Sequence, residues 1–481
     1  HAVTGQAEVY LDGIYLGGHY GGFTGFNFTV TGLAPGEHTL VVAVDNTHDN
    51  MNTIPLSRVD WFHYGGIYRS VEVMELGDVW IKDHRIDYRL DDKLENAFLS
   101  VGITVEAFAP GKEVRMLKLY VYDTEVYRSE IEVRDCTELM IDNIELKNVK
   151  LWDVGKPNLY SIRLEIGDDD VIERLGFRQI KAENGKIYLN GRELYLKGVN
   201  RHEEHPDWGF AVPLKLMKKD IDIIKNLGCN AIRGSHYPNS ELFLDYLDQE
   251  GILFWEEIPM WGFPEEPLKN PLILERGLKM HEEMVKRDYH HPCIIIWSMH
   301  NEIDTRTQAA YDLTKAFVRK VRSMDETRLL SYASNHPLDD ICYSLVDVIS
   351  INKYCGWYGG EIESWDEFIE NLKEKLDNEN LSNKPLLITE FGAGAIYGDA
   401  TFEAPKWTEN YQEKLLKYTL ELFHKDTRIQ GSYIWQYADI RTSKEMAMGR
   451  PRSFNNKGIV NEYRKPKMAY WTVQKIYNGI S

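Results

Sequence analysis

Two glutamates stand where apolar runs end. Glu302 closes the stretch Cys293-Ile294-Ile295-Ile296-Trp297-Ser298-Met299, with His300 and Asn301 just before it, and Glu390 closes Pro385-Leu386-Leu387-Ile388-Thr389. A facing pair of carboxyl groups is the minimum equipment for cleaving a glycosidic bond: one protonates the leaving oxygen, the other attacks the anomeric carbon or activates water. The two tasks need opposite protonation states, hence surroundings that push the pKa values apart. Arg233, at the end of another short apolar run, is a candidate to keep Glu390 ionised, while Glu302 follows a long apolar strand and is the one that burial would raise. For either glutamate alone, the competing reading is a salt bridge at a strand end.

The elements that must position this pair are visible in the rhythm of the chain. From about residue 180, short apolar runs alternate with amphipathic helical stretches such as LKLMKKDIDIIKNLG and YQEKLLKYTLELFHK. The runs are LYLKGVNRH, CNAIRGSH, ILFWEEIP, CIIIWSMHNE, RLLSYAS, DVISINKY, PLLITEFG and IQGSYIWQYAD. Near-continuous apolar strands are buried on both faces, as in parallel sheets. Eight strand–helix units in about 300 residues count out a (β/α)8 barrel, whose active sites lie at the carboxyl ends of the strands. Those ends carry Arg201 and His202, Arg233 and His236, Glu256 and Glu257, Asn301 and Glu302, Asn352 and Tyr354, Glu390, then Trp435 and Asp439. The fifth connection, NHPLDDICYSLV, is a weak helix and the least secure unit.

Before residue 179 the period is two. AEVYLDGIYLGG alternates around an Asp12-Gly13 turn, a hairpin signal, and NAFLSVGITVEAF, VRMLKLYVYD and LYSIRLEIGDDDVIERLGF continue in strands. The expected organisation is a β-sandwich region at 1–77, a second β-sandwich at 78–178 and the barrel at 179–481. Two or three domains also suit 481 residues. A net charge of −19 repels nucleic acid and anionic membranes, and no apolar run approaches the roughly 20 residues of a membrane span. The five cysteines fit neither a zinc pattern nor a CxxC motif; Cys229 and Cys293 read as buried small hydrophobes. That usage agrees with a cytoplasmic setting, although a chain opening at His1 leaves room for a removed signal peptide. HEEH at 202–205 has its histidines at i and i+3, followed by Pro206, which suits a loop better than a zinc-binding helix. Neither metal nor cofactor is expected. No Gly-rich phosphate loop or G-x-S-x-G elbow is present.

RSFNNKGIVNEYRKPK, after the last strand, bears on the ligand. An ammonium is a strongly hydrated point charge with three donors; aimed into a cleft, it selects an anion. Asn455 and Lys457 form an Asn-x-Lys pair suited to a carboxylate on C6 of a uronic acid, and the competing reading is a solvated loop lysine.

From about 178 onward the chain resembles glycoside hydrolase family 2, on GVNRHEEHPDWG, NAIRGSHYPNSELFLDYLDQEGILFWEEIP, HHPCIIIWSMHNE and LITEFG. The order of the β-rich part also resembles that family: a jelly-roll sugar-binding domain, an immunoglobulin-like domain, then a TIM barrel. The jelly roll looks partial, because the chain opens just before the segment matching EVYLDGIYLGG. The resemblance implies Glu302 as acid/base, Glu390 as nucleophile, retention of configuration, Asn301 on the sugar 2-hydroxyl and Tyr354 orienting Glu390. SYIWQYADIRTS and NNKGIVNEYRKPK resemble the β-glucuronidase branch. That likeness implies Asn455 and Lys457 on the carboxylate, Asp60 reaching in from the first domain, Tyr354 and Tyr358 in the site, Trp435 as an aromatic wall and His236 as a polar contact. The branch has an arginine where this chain has Pro451; Arg450 and Arg452 flank it, and the sequence does not choose between them. The expected partners are β-glucuronide small molecules or oligosaccharides, with a homo-oligomer left open. WGFPEEPLKNP after the third strand is short for a lid and predicts an open cleft mouth. The alternatives are a β-galactosidase or β-galacturonidase of the same family, a carbohydrate-binding protein without catalysis and, more remotely, a metal-dependent hydrolase.

Overall fold

The computed structural model describes residues 1–108 and 111–480. Eight parallel strands close into a barrel: Leu196–Arg201, Ala231–Gly234, Leu253–Glu257, Ile294–Asn301, Leu329–Ser334, Ile349–Asn352, Leu386–Phe391 and Ile429–Ile434. The first pairs with the last, Leu196 opposite Gly431. Every residue of strands two to eight is buried, which is why they read as continuous apolar runs rather than alternations. Gly198 is required by packing: a Cβ there would run into the Tyr433 ring that fills the barrel interior. Helices Leu214–Asn226, Glu241–Glu250, Pro271–Asp288, Gln308–Met324, Ser364–Asn378, Glu409–Lys425 and Met468–Gly479 lie outside. Thr307 and Thr408 cap two of them by accepting from the amides of Ala310 and Tyr411. The fifth connection contains only a single 3-10 turn, Tyr343–Leu345, so the weak helix expected there is reduced to that turn.

Residues 79–175 form a sandwich of two antiparallel sheets. One has three strands (Val79–Leu90, Ala97–Ala107, Cys136–Leu146) and the other four (Glu113–Val121, Thr124–Val133, Tyr160–Ile166, Asp169–Leu175), with one apolar core between them. Charged contacts tie the sandwich to the barrel: Glu173 lies between His84 and His290, and Arg174 pairs with Asp245. The first region is a smaller antiparallel sheet, Gln6–Leu11 flanked by Ile14–Tyr20 and Leu40–Asp45. Asp12 and Gly13 both have positive φ, as the hairpin turn demands. After Asp45 no residue up to Asp78 lies in a regular strand or helix, and Val73 is 94% exposed. The middle of this stretch is nonetheless pinned to the barrel. Trp61 is buried with Val59, Phe23, Phe210, Tyr237 and Ile440; Arg69 pairs with Glu203 at 2.8 Å; the Tyr64 hydroxyl donates to Glu204.

Candidate active site

The carboxyl ends of the barrel strands open onto a cleft of ≈ 920 Å³, lined among others by Asp60, Trp261, Glu302, Asn352, Tyr354, Tyr358, Glu390, Trp435 and Arg450. The two glutamates therefore share one space. Glu390 is buried and doubly held: Arg233 Nη1 donates to Oε1 and the Tyr354 hydroxyl to Oε2, each at 2.8 Å. Arg233 is fixed in turn by two bonds from Nη2 to Glu257, at 3.0 Å, and by the side-chain oxygens of Asn200 and Asn301. Burial pushes the Glu390 carboxyl up, and the Arg233 charge and the Tyr354 bond act against it.

Glu302 is held far more lightly. Among the described residues one bond reaches its carboxyl group, from Asn352 Nδ2 at 2.8 Å. Its pKa is pushed up to about 8, first by burial and next by the negative charge of Glu390. Its backbone is also unusual: φ is 53°, a left-handed conformation that costs a non-glycine residue about 1–3 kcal/mol. The pairing register with the fifth strand slips between Ser298 and Asn301, and the Glu302 amide then donates to the Ala333 carbonyl at 2.8 Å. That bulge turns the glutamate out of the strand alternation and into the cleft.

The other expected residues fall into two groups. Asn301 accepts from Arg233 at 2.6 Å and from Asn352 at 3.1 Å through Oδ1, while its buried Nδ2 has no partner among the described residues. His236 is buried behind the cleft. Its Nδ1 is 2.6 Å from Glu257, its ring stacks on Trp435, and its unpartnered Nε2 is 3.9 Å from Glu390. Burial and the Arg233 charge hold it well below the usual imidazole range, hence neutral.

The second group surrounds Lys457, which is only 1% exposed, so the solvated-loop reading fails. Its ammonium donates to the Tyr358 hydroxyl at 2.8 Å and lies 4.9, 5.6 and 5.7 Å from the ring centres of Tyr358, Tyr354 and Trp357. It makes no ion pair among the described residues. Asn455, fully buried, donates to Asp60 Oδ2 at 2.7 Å, and Arg450 donates to the same oxygen at 2.7 Å, leaving Asp60 Oδ1 without a partner among the described residues. Of the flanking arginines, Arg450 lines the cleft, while Arg452 pairs with Glu462 at 2.9 Å. HEEH forms no ligand cluster among the described residues; Glu203 and Glu204 are spent on Arg69 and Tyr64, and the His202 ring nitrogen Nδ1 lies 3.2 Å from the Tyr237 hydroxyl.

Sequence reasoning gave no role to Asn352, Glu257 or Trp261. Asn352 and Glu257 stood at strand ends, and their position was the available signal. Trp261 sits in the loop read only for its length; the backbone of that loop pairs with Asn301, which puts the indole in the cleft.

The sequence model for glycosyl hydrolases family 2, TIM barrel domain, matches residues 180–481, and that for glycosyl hydrolases family 2 matches 79–178. The chain belongs to glycoside hydrolase family 2. The fold is similar, with a TM-score of 0.95, to the β-galacturonidase of Eisenbergiella tayi bound to galacturonate, which is 35% identical over all of this chain and 86% of that one. Against the β-glucuronidase of Ruminococcus gnavus in complex with uronic isofagomine the TM-score is 0.86 and the identity 28%, over 99% of this chain and 84% of that one. A β-galactosidase of Thermoanaerobacterium thermosulfurigenes is 29% identical over 97% of this chain, which spans 64% of that relative's length.

Proposed function

We propose that this family 2 chain is a retaining, exo-acting β-uronidase that removes terminal β-D-glucuronic acid from glucuronides. The observation that carries the choice of sugar is Lys457: a buried ammonium caged by aromatic rings beside a cleft holding two glutamates, in no ion pair among the described residues, its neighbouring acid Asp60 being already bonded by Arg450 and Asn455. A charge withdrawn from water needs a counter-charge, and a C6 carboxylate supplies one. Asn455 and Asp60 would complete that wall, with Arg450 holding Asp60.

In the first step Glu390 attacks the anomeric carbon and the bond to the leaving oxygen breaks, while Glu302 gives that oxygen its proton. In the second, Glu302 takes a proton from water, the water oxygen bonds the anomeric carbon, and Glu390 is released. The contrast between the two carboxyl environments favours these assignments. Asn301 Nδ2, with no partner among the described residues, is a free donor for the 2-hydroxyl, and Trp435 offers a flat wall beneath the ring. Glu257 and Arg233 act through Glu390, as positioning residues.

A second reading of the sugar is β-D-galacturonic acid, the C4 epimer. The higher identity and TM-score to the galacturonidase favour it. Chromogenic β-glucuronide, β-galacturonide and β-galactoside, offered to the parent and to Lys457→Ala, test both readings. Lys457→Ala is expected to lose about 2–5 kcal/mol of transition-state binding on the uronides, well over tenfold in kcat/KM. Equal uronide rates for parent and variant would remove the uronate reading, and the ratio of the two parent uronide rates ranks the epimers.

A further inference from the structure

The cleft lining includes residues to which the proposed glycone contacts assign no role. They are Asn335 after the fifth barrel strand, Lys353 after the sixth, and Glu367, Phe368 and Asn371 on the helix Ser364–Asn378. Positions 367, 368 and 371 share one face of that helix. Lys353 is half-buried, and its ammonium lies over the Phe368 ring, 5.1 Å from the centroid. It makes no hydrogen bond or ion pair among the described residues, although Glu367 lines the same cleft. These residues adjoin the acid side of the site. The Glu302 amide donates to Ala333, two residues before Asn335, and Asn352, the residue before Lys353, holds the Glu302 carboxyl. A group that hands its proton to the leaving oxygen faces the leaving group, so with Glu302 as the proposed acid this side of the cleft is the one that would meet the leaving group.

We infer that Lys353, with Asn335 and Asn371, forms a subsite for a leaving group that is itself an acidic sugar, its anionic substituent on the Lys353 ammonium and its hydroxyls on the two amides. The inference rests on the uronidase reading for the bond cleaved, and it deepens that reading: the substrate class is an acidic oligosaccharide rather than a neutral conjugate. A free cation stacked on an aromatic face keeps its remaining donors for a ligand, and a neutral cleft wall would have no use for one.

The test compares two disaccharides with the same terminal uronic acid, one with a uronic acid as the leaving unit and one with its C6-reduced neutral counterpart. The parent, Lys353→Met and Lys353→Arg are assayed on both. The expected result is a ratio of kcat/KM, acidic over neutral, that falls at least tenfold in Lys353→Met and is largely kept in Lys353→Arg. Using the ratio within each enzyme cancels any general loss. A parallel pair, 4-carboxyphenyl and phenyl glycosides, separates an acidic sugar from an aromatic acid: a Lys353 effect confined to the aryl pair overturns the sugar assignment. An unchanged ratio in Lys353→Met, or equal loss on both disaccharides, overturns the subsite. The disaccharide pair and the aryl pair are each also offered with a terminal β-galactose in place of the uronic acid. Preference for that sugar marks failure of the uronate reading, while the Lys353 ratio is still read on whichever sugar is cleaved.

Discussion

Glu302 and Glu390 are the same side chain at the same end of the same barrel, and their surroundings differ in kind. Glu390 receives a guanidinium and a phenol, and the guanidinium is locked by Glu257 and two asparagines behind it. Glu302 receives one amide, on a left-handed backbone, facing the charge of its partner. The first arrangement aims the carboxyl and, through the Arg233 charge and the Tyr354 bond, favours its ionised form against the effect of burial. The second favours a proton retained near neutrality and easily surrendered. The chemistry is thus written less in the glutamates than in what holds them.

The contrast between the two glutamates breaks most visibly at Glu390, the proposed nucleophile. Glu390→Gln is expected to lower kcat on the order of 10⁴–10⁶-fold on every substrate, and a 2-deoxy-2-fluoro glycosyl reagent that adds mass to the parent should leave the variant unlabelled. Labelling of the variant at an unchanged rate would move the nucleophile elsewhere. Glu302→Gln should cost roughly 10²–10⁴-fold on substrates with poor leaving groups and much less on nitrophenyl glycosides, which need little help from an acid. A loss equal for both classes would deny Glu302 its role as proton donor. Tyr354→Phe removes one hydrogen bond to a charged group, worth about 1.5–3 kcal/mol, and should lower kcat/KM while moving the acid limb of its pH profile upward, because the bond favours the ionised Glu390.

The mildest change sharpens the contrast instead. In the parent, activity should fall as pH rises through about 8, where the proton of Glu302 is lost, and also as pH falls far enough to protonate Glu390. Asn352→Ala deletes the bond that favours ionised Glu302, so its alkaline limb should move upward while the acid limb stays in place. Movement of the acid limb alone would reverse the assignment of the two groups.

Most of the barrel was legible because strands buried on both faces leave an unbroken apolar signature, and the residues at their ends inherit their position from it. Glu302, Glu390, Arg233 and Tyr354 could be placed that way. The fifth connection was not legible: its apolar residues suggested a helix, and the packing left room for one short turn. Lys457 was legible only as a choice, because burial of a loop lysine depends on Tyr354, Trp357 and Tyr358, which reach it from about 100 residues away. Arg450 and Arg452 could not be told apart, since each direction is set by a carboxylate elsewhere in the fold, Asp60 or Glu462. The stretch bearing Asp60 has no period at all. Its place comes from side-chain anchorage by Trp61, Tyr64 and Arg69, which no local pattern encodes.

On the proposed function, that anchorage makes the amino-terminal region a donor of recognition chemistry to another domain. The barrel brings the two glutamates and this span brings Asp60 to the cleft lining, fastened by three side chains rather than by a shared sheet. Exchanging the span between related enzymes would therefore exchange sugar preference and leave bond cleavage untouched, a route by which one catalytic engine can be refitted to new glycans without being rebuilt.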